Sequence, residues 1–186
     1  MSRNRISKSY LKPAVIQTTL LNYRTFQRNH RKIVIKQSID KSAAQRLAHL
    51  QELDELLTFS QEIFTGQQHH LALRIQELLE LCAEDKEVVA SASSLKSMLL
   101  FLLKLTHFSP PGMTVSEDGW FHLDWEKNDF YSMTLRFKEN SDLDYAIFLP
   151  SQHVDKPIIF SGNMNVLDFI EQLIMKNNAI SQLVRE

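Results

Sequence analysis

A single cysteine, Cys82, excludes an internal disulfide and any cysteine-based zinc ribbon or finger. Four glycines leave no G-x-G-x-x-G and no G-x-x-x-x-G-K segment, so no phosphate-cradling loop can be written. G-x-S-x-G and H-E-x-x-H are absent too, which removes the nucleophile-elbow and zincin chemistries. The most apolar run, Leu95–Leu105, contains Lys96 and Lys104 and is too short to cross a bilayer. No apolar stretch of signal-peptide length follows the first charges, and the chain is expected to be soluble and cytoplasmic. What is present is ordinary for a globular protein. A 44% hydrophobic share over 186 residues excludes wholesale disorder and is enough for a sizeable core.

The other absence is acid at the N-terminus. Residues 1–39 carry nine Lys/Arg and no Asp or Glu, whereas residues 40–186 carry twelve Lys/Arg against 22 Asp/Glu. A cationic segment joined to an anionic body meets a polyanion, a partner protein or its own acidic domain. The segment is also oily, with Tyr10, Leu11, Val15, Ile16, Leu20, Leu21, Tyr23, Phe26 and Ile33–Ile35. That is more apolar surface than a solvated tail holds. Pro13 to Gln27 reads as a helix with proline in its first turn, and Ile33–Lys36 as a short extended piece. The composition shares features with an organelle transit peptide, which Pro13 and the extended piece interrupt.

Beyond it the expected organisation is α+β: a helical region over 40–107, then an antiparallel sheet and C-terminal helix over 108–186. Residues 40–186 are expected to fold together. Ala43, Leu47, Leu50, Leu53 and Leu57 recur at helical spacing, predicting one helix from an Asp40 cap to about Phe64, stopped by Gly66. A second helix over Gln67–Ala83 buries Leu71, Ile75, Leu78, Leu79 and Cys82, and the two form a hairpin. Ser91, Ser93 or Ser94 caps a third, Leu95–His107, apolar nearly all round and so suited to an interior or an interface. Pro110-Pro111-Gly112 then ends helical structure.

The period next changes to two. Met113–Ser116 and Trp120–Glu126 flank an Asp118-Gly119 turn, a strong hairpin signal. Phe121, Leu123 and Trp125 share one face. Met133, Leu135 and Phe137, then Tyr145 and Ile147, continue it into a meander of three to five strands. Ile158–Phe160 is a further strand, after which Ser161-Gly162-Asn163 opens a last helix. Asn163 or Asn165 caps that helix, and Val166, Leu167, Ile170, Leu173 and Ile174 form its apolar side.

From Pro111 to Leu173 a pattern emerges: Pro111, Asp118-Gly119, Trp125, Tyr145-Ala146, Ser161-Gly162 and the helix Val166–Ile174, preceded by the helix Ser94–Leu103. Over about the last 90 residues it resembles small, mostly uncharacterised prokaryotic proteins that travel with mobile-element or toxin-linked genes. The resemblance implies an accessory or antitoxin-like partner protein and carries over no catalytic residue.

The remaining candidates are few. His69-His70 adjoin on a helix, where neighbours point about 100° apart and do not converge on a metal. His122, Asp124 and Glu126 line one strand face, where a wet, mixed-charge surface is the simpler reading. His107 suits a helix C-terminus, and Cys82 a structural thiol. Arg24 and His30 match the R-x5-H spacing of the HEPN ribonucleases, with Thr25 in place of that family's usual polar residue. The chain therefore reads as a non-enzymatic interaction module without cofactor or metal, whose partner is a toxin, a nuclease or a complex subunit. In that reading Leu11, Ile16, Leu20, Tyr23 and Phe26 anchor the partner, while Arg24, Arg28, Arg31 and Lys32 select an acidic one. The alternative is nucleic-acid binding, with Arg3, Arg5, Lys8, Lys12, Arg24, Arg28, Arg31, Lys32 and Lys36 on phosphates. An RNase or other hydrolase comes third.

Overall fold

The computed structural model describes residues 41–85, 87–105, 108–128, 131–151 and 157–185. The basic arm, the Asp40 cap and His107 lie outside the described residues. The architecture is α+β, as the sequence pattern predicts. Four helices come first: α1 (Lys41–His49), α2 (Leu53–Ile63), α3 (His69–Glu84) and α4 (Ala92–Lys104). Five strands follow: β1 (Gly112–Val115), β2 (Phe121–Asn128), β3 (Tyr131–Phe137), β4 (Asp142–Leu149) and β5 (Ile158–Asn165). The chain closes with α5 (Val166–Phe169), a π-turn over Ile170–Ile174, and α6 (Asn178–Val184).

The sheet is a pure antiparallel meander in the order β1-β2-β3-β4-β5. Its inner face carries the odd-numbered residues of β2, β3 and β4: Phe121, Leu123, Trp125, Met133, Leu135, Phe137, Leu143 and Ile147 are all buried. Against this face lies α4. Its Phe101 ring sits 6.2 Å from Trp125, 5.5 Å from Phe137 and 6.2 Å from Phe169. Such tilted and edge-on aromatic contacts add to the area term, and full burial of a Phe is worth about 2–3 kcal/mol. The other side of α4 meets α1 and α2. The helix that is apolar all round is thus the interior layer, with Leu95, Met98, Leu99 and Leu102 sealed from solvent. That placement removes it from the surfaces a partner could reach.

Serines seat the start of α4 on the sheet. Ser91 Oγ caps the helix by accepting from Ser94 N. Ser94 Oγ, fully buried, accepts from Phe121 N at 2.8 Å and donates to the Phe137 carbonyl at 2.7 Å. At the far end, α6 is tied to β2 and β3: Tyr131 Oη donates to Ala179 O at 2.6 Å and Lys127 Nζ to Gln182 O at 2.8 Å.

Four expectations change. The helix expected over 40–64 is two, broken at Leu50–Glu52. Glu55 Oε2 accepts from the amides of Gln51 and Glu52, a capping box that starts a new helix. Lys96 Nζ takes up the Ala48 and Leu50 carbonyls left at the break. Ser161-Gly162-Asn163 does not open the last helix but extends β5, opposite Ala146, Tyr145 and Asp144 of β4. Asn165 is the cap, its Oδ1 accepting from Leu167 N at 3.0 Å. Because the helix starts there, Leu167 faces solvent and Phe169 takes the buried place. Finally, α6 is a second closing helix, started by Asn177, whose Oδ1 accepts from Ala179 N and Ile180 N.

Candidate interaction site

The partner-binding residues expected on the arm (Leu11, Ile16, Leu20, Tyr23, Arg24, Phe26, Arg28, Arg31 and Lys32) lie outside the described residues. So do the phosphate contacts Arg3, Arg5, Lys8, Lys12 and Lys36, and the Arg24/His30 pair. Two surfaces within the described residues can be built from the side chains upward.

The first is the outer face of the sheet, which carries His122, Asp124 and Glu126. They are aligned but not convergent. Thr134 Oγ1 donates to Asp124 Oδ1 at 2.6 Å, and Glu126 is exposed opposite Ser132. One strand over, Arg136 lies opposite His122 and stacks 4.8 Å over the Trp120 ring, with Lys138 Nζ 5.5 Å from the same ring. Both cations reach Asp144 Oδ2, at 3.0 and 2.7 Å, and Asn163 Nδ2 donates to Asp144 Oδ1 at 2.9 Å. Burial pushes the Asp144 carboxyl up, but the hydrogen bonds from Lys138, Asn163 and Arg136 outweigh it and hold it below the ordinary carboxylate value.

Beside this cluster, His122 Nε2 is buried and makes no hydrogen bond among the described residues. Burial lowers its pKa, Asp124 opposes the shift and Arg136 adds to it, so the surroundings favour the neutral imidazole over the charged one. Arg136, Lys138 and Asp144 are spent on one another, and His122, Asp124 and Glu126 do not converge on a common point.

The second surface is a groove of about 490 Å³ on the helical side. Its walls are α2, α3 and the segment 88–90. Leu53, Leu57, Leu79, Cys82, Val89 and Ala90 make it apolar, and Asp54 and Glu80 stand on its lining. No lysine or arginine lines it among the described residues. Amphipathic spacing places it: Leu53 and Leu57 are one turn apart on α2, as are Leu79 and Cys82 (i, i+3) on α3, and all four are only half-buried. Val89, 80% exposed, projects at the rim. Burial, followed by the nearby Asp85, raises the Cys82 thiol pKa, so the sulfur lines the groove as an inert small hydrophobe.

His69 and His70 start α3, where His70 Nδ1 lies 2.8 Å from the Gln67 carbonyl. No group of three or more potential metal ligands occurs among the described residues. The sequence pattern leaves Val88-Val89-Ala90 unassigned, between a helix and a serine cluster. The signal that could have found this wall is three adjacent apolar residues with no periodic partner. In comparison with protein-family models, with curated proteins and with solved structures, the chain matches none.

Proposed function

We propose that the chain is a non-catalytic partner protein, accessory or antitoxin-like, that holds an amphipathic helix of another protein in the α2–α3 groove. The observation that carries this reading is the groove itself, an apolar trough with Leu57, Leu79 and Val89 open to solvent and, among the described residues, carboxylates as its only charged lining. Helix-in-groove recognition needs such a trough, and its acidic lining favours an incoming helix with a basic flank. Toxins, nucleases and subunits of nucleic-acid complexes present that chemistry. The basic arm, with Leu11, Ile16, Leu20, Tyr23 and Phe26 as anchors, adds a second attachment to the same partner, so the two contacts reinforce each other by effective concentration.

Co-expression with the product of the adjacent gene, followed by size-exclusion chromatography, tests the reading. The expected result is a stable complex that Val89→Arg weakens more than Val89→Glu, because the arginine repels a basic helix. Deletion of residues 1–39 weakens it separately. A complex indifferent to both the Val89 charge and the deletion would overturn the proposal.

A further inference from the structure

The two edges of the sheet are treated differently. Strand β1 has four residues, follows Pro110-Pro111, and has its Met113 carbonyl occupied by Arg74 Nη2 at 3.2 Å. Short length, adjacent proline and a covering cation are the usual protections of an edge. At the other edge, β5 has eight residues in unbroken register with β4 and, of these protections, only an adjacent proline, Pro157. From Pro157 to Leu167 there is no charged side chain and, after Pro157, no proline. Ile158, Ile159 and Phe160 are 38%, 60% and 39% exposed, so apolar surface is open on both faces of the strand. Among the described residues, no element other than β4 forms backbone hydrogen bonds with Ile158–Met164. A row of free amides and carbonyls flanked by apolar side chains asks for one thing, another strand.

We propose that the strand is β5 of a second copy, joined antiparallel about a two-fold axis to make one ten-stranded sheet. Antiparallel pairing about a two-fold axis sets the residues beside the axis near their own copies, so a charge there would repel itself. The strand carries no charge on either side of Ile159 from Pro157 to Leu167, the condition that self-pairing about that residue imposes and that capture of a charged peptide does not. With the axis at Ile159, that residue meets Ile159 of the second copy on the outer face. Ile158 then meets Phe160 of the second copy on the inner face, and both helical layers lie on the same side. The pairing buries the three exposed apolar residues of each chain and leaves the α2–α3 groove clear.

Light scattering behind size exclusion on the full chain alone, without any partner, reads this directly. At roughly 50 μM the expected mass is twice the 21.6 kDa of the chain. Ile159→Lys opposes two ammonium groups and removes the central apolar pair. It should raise the dimer dissociation constant roughly tenfold or more while leaving the circular dichroism spectrum unchanged, since the side chain is largely exposed. In a Cys82→Ser background, Ile159→Cys should cross-link under mild oxidation and Asn163→Cys should not. A monomeric mass at that concentration overturns the proposal, as does a dimer that ignores Ile159→Lys or a cross-link favouring position 163. Failure here leaves the groove proposal intact, because that complex is measured with a different protein.

Discussion

The Cα of Gly119 faces the backbone carbonyl of Val89 so closely that a β-carbon there would stand 1.9 Å from the oxygen. The same contact is sealed by a hydrogen bond from Ser91 N to Gly119 O at 2.9 Å. A hairpin turn thus pins the segment that forms one wall of the groove. Gly119 also has φ +77°, in the left-handed region that side chains resist. Gly119→Ala should therefore cost about 2–4 kcal/mol, from the backbone conformation and the collision together. Gly66 (φ +60°) has nothing within 4 Å of such a β-carbon, and its alanine variant should cost only about 1 kcal/mol. Urea titration of the two variants gives the comparison, and equal losses would contradict the Val89 contact.

Ser94→Ala should be expensive for one missing oxygen. It strands the Phe121 N–H and the Phe137 carbonyl in a buried place, each costing about 1–3 kcal/mol. Ser94→Cys, which keeps a weak donor and acceptor, should recover part of the loss. Midpoints in denaturant at unchanged slope would confirm that the native contact, rather than the unfolded chain, is responsible.

Acid should act on the sheet face in two steps. For His122 the folded value lies below the ordinary 6.5, so the unfolded chain binds the proton first. Its contribution is present above about pH 6.5 and declines as the pH falls below it. For Asp144 the folded value lies below 3.8, so its contribution is present above that value and is lost as the pH falls through the lowered one. His122→Phe should flatten the first decline and leave the second. Asp144→Asn should do the reverse and cost about 1 kcal/mol at neutral pH, a small figure because the ion pairs are partly solvated. Stability measured between pH 7 and 3 distinguishes the two.

The basic arm separates protein from nucleic-acid recognition. If about six of its nine cations displaced counterions from duplex DNA, log K would fall with log salt at a slope near −5. The proposed function expects no such steep dependence for duplex DNA. It expects the partner complex to survive moderate salt, because apolar anchors hold it. Fluorescence anisotropy across salt concentrations for both ligands decides between them.

Much of the fold can be read from local signals. Strands β1 to β4 follow from strict alternation and from the Asp118-Gly119 turn, and α3 and α4 from their apolar periods, with the α4 cap narrowed to Ser91, Ser93 or Ser94. The misreadings have a common cause. Leu47, Leu50, Leu53 and Leu57 keep helical spacing across a break, although Leu47 is buried in the core while Leu53 and Leu57 line the groove, and the Glu52/Glu55 capping box is quiet beside that period. Ser161-Gly162-Asn163 has the composition of a loop. It is strand because Tyr145 lies across Gly162, where a β-carbon would come 2.8 Å from the phenol oxygen, and because Asp144 accepts from Asn163.

By itself, then, the chain determined its class, the face that β2, β3 and β4 bury and the separation of cationic from anionic residues, since these depend on periodicity and order along the chain. Only the tertiary structure decided that the greasiest helix is interior, that β1 is short and met by Arg74 while no described element but β4 pairs with β5, and that Leu57, Leu79 and Val89 gather into one trough. Those features join residues far apart in sequence, and no local pattern records which surfaces remain uncovered once the core has formed.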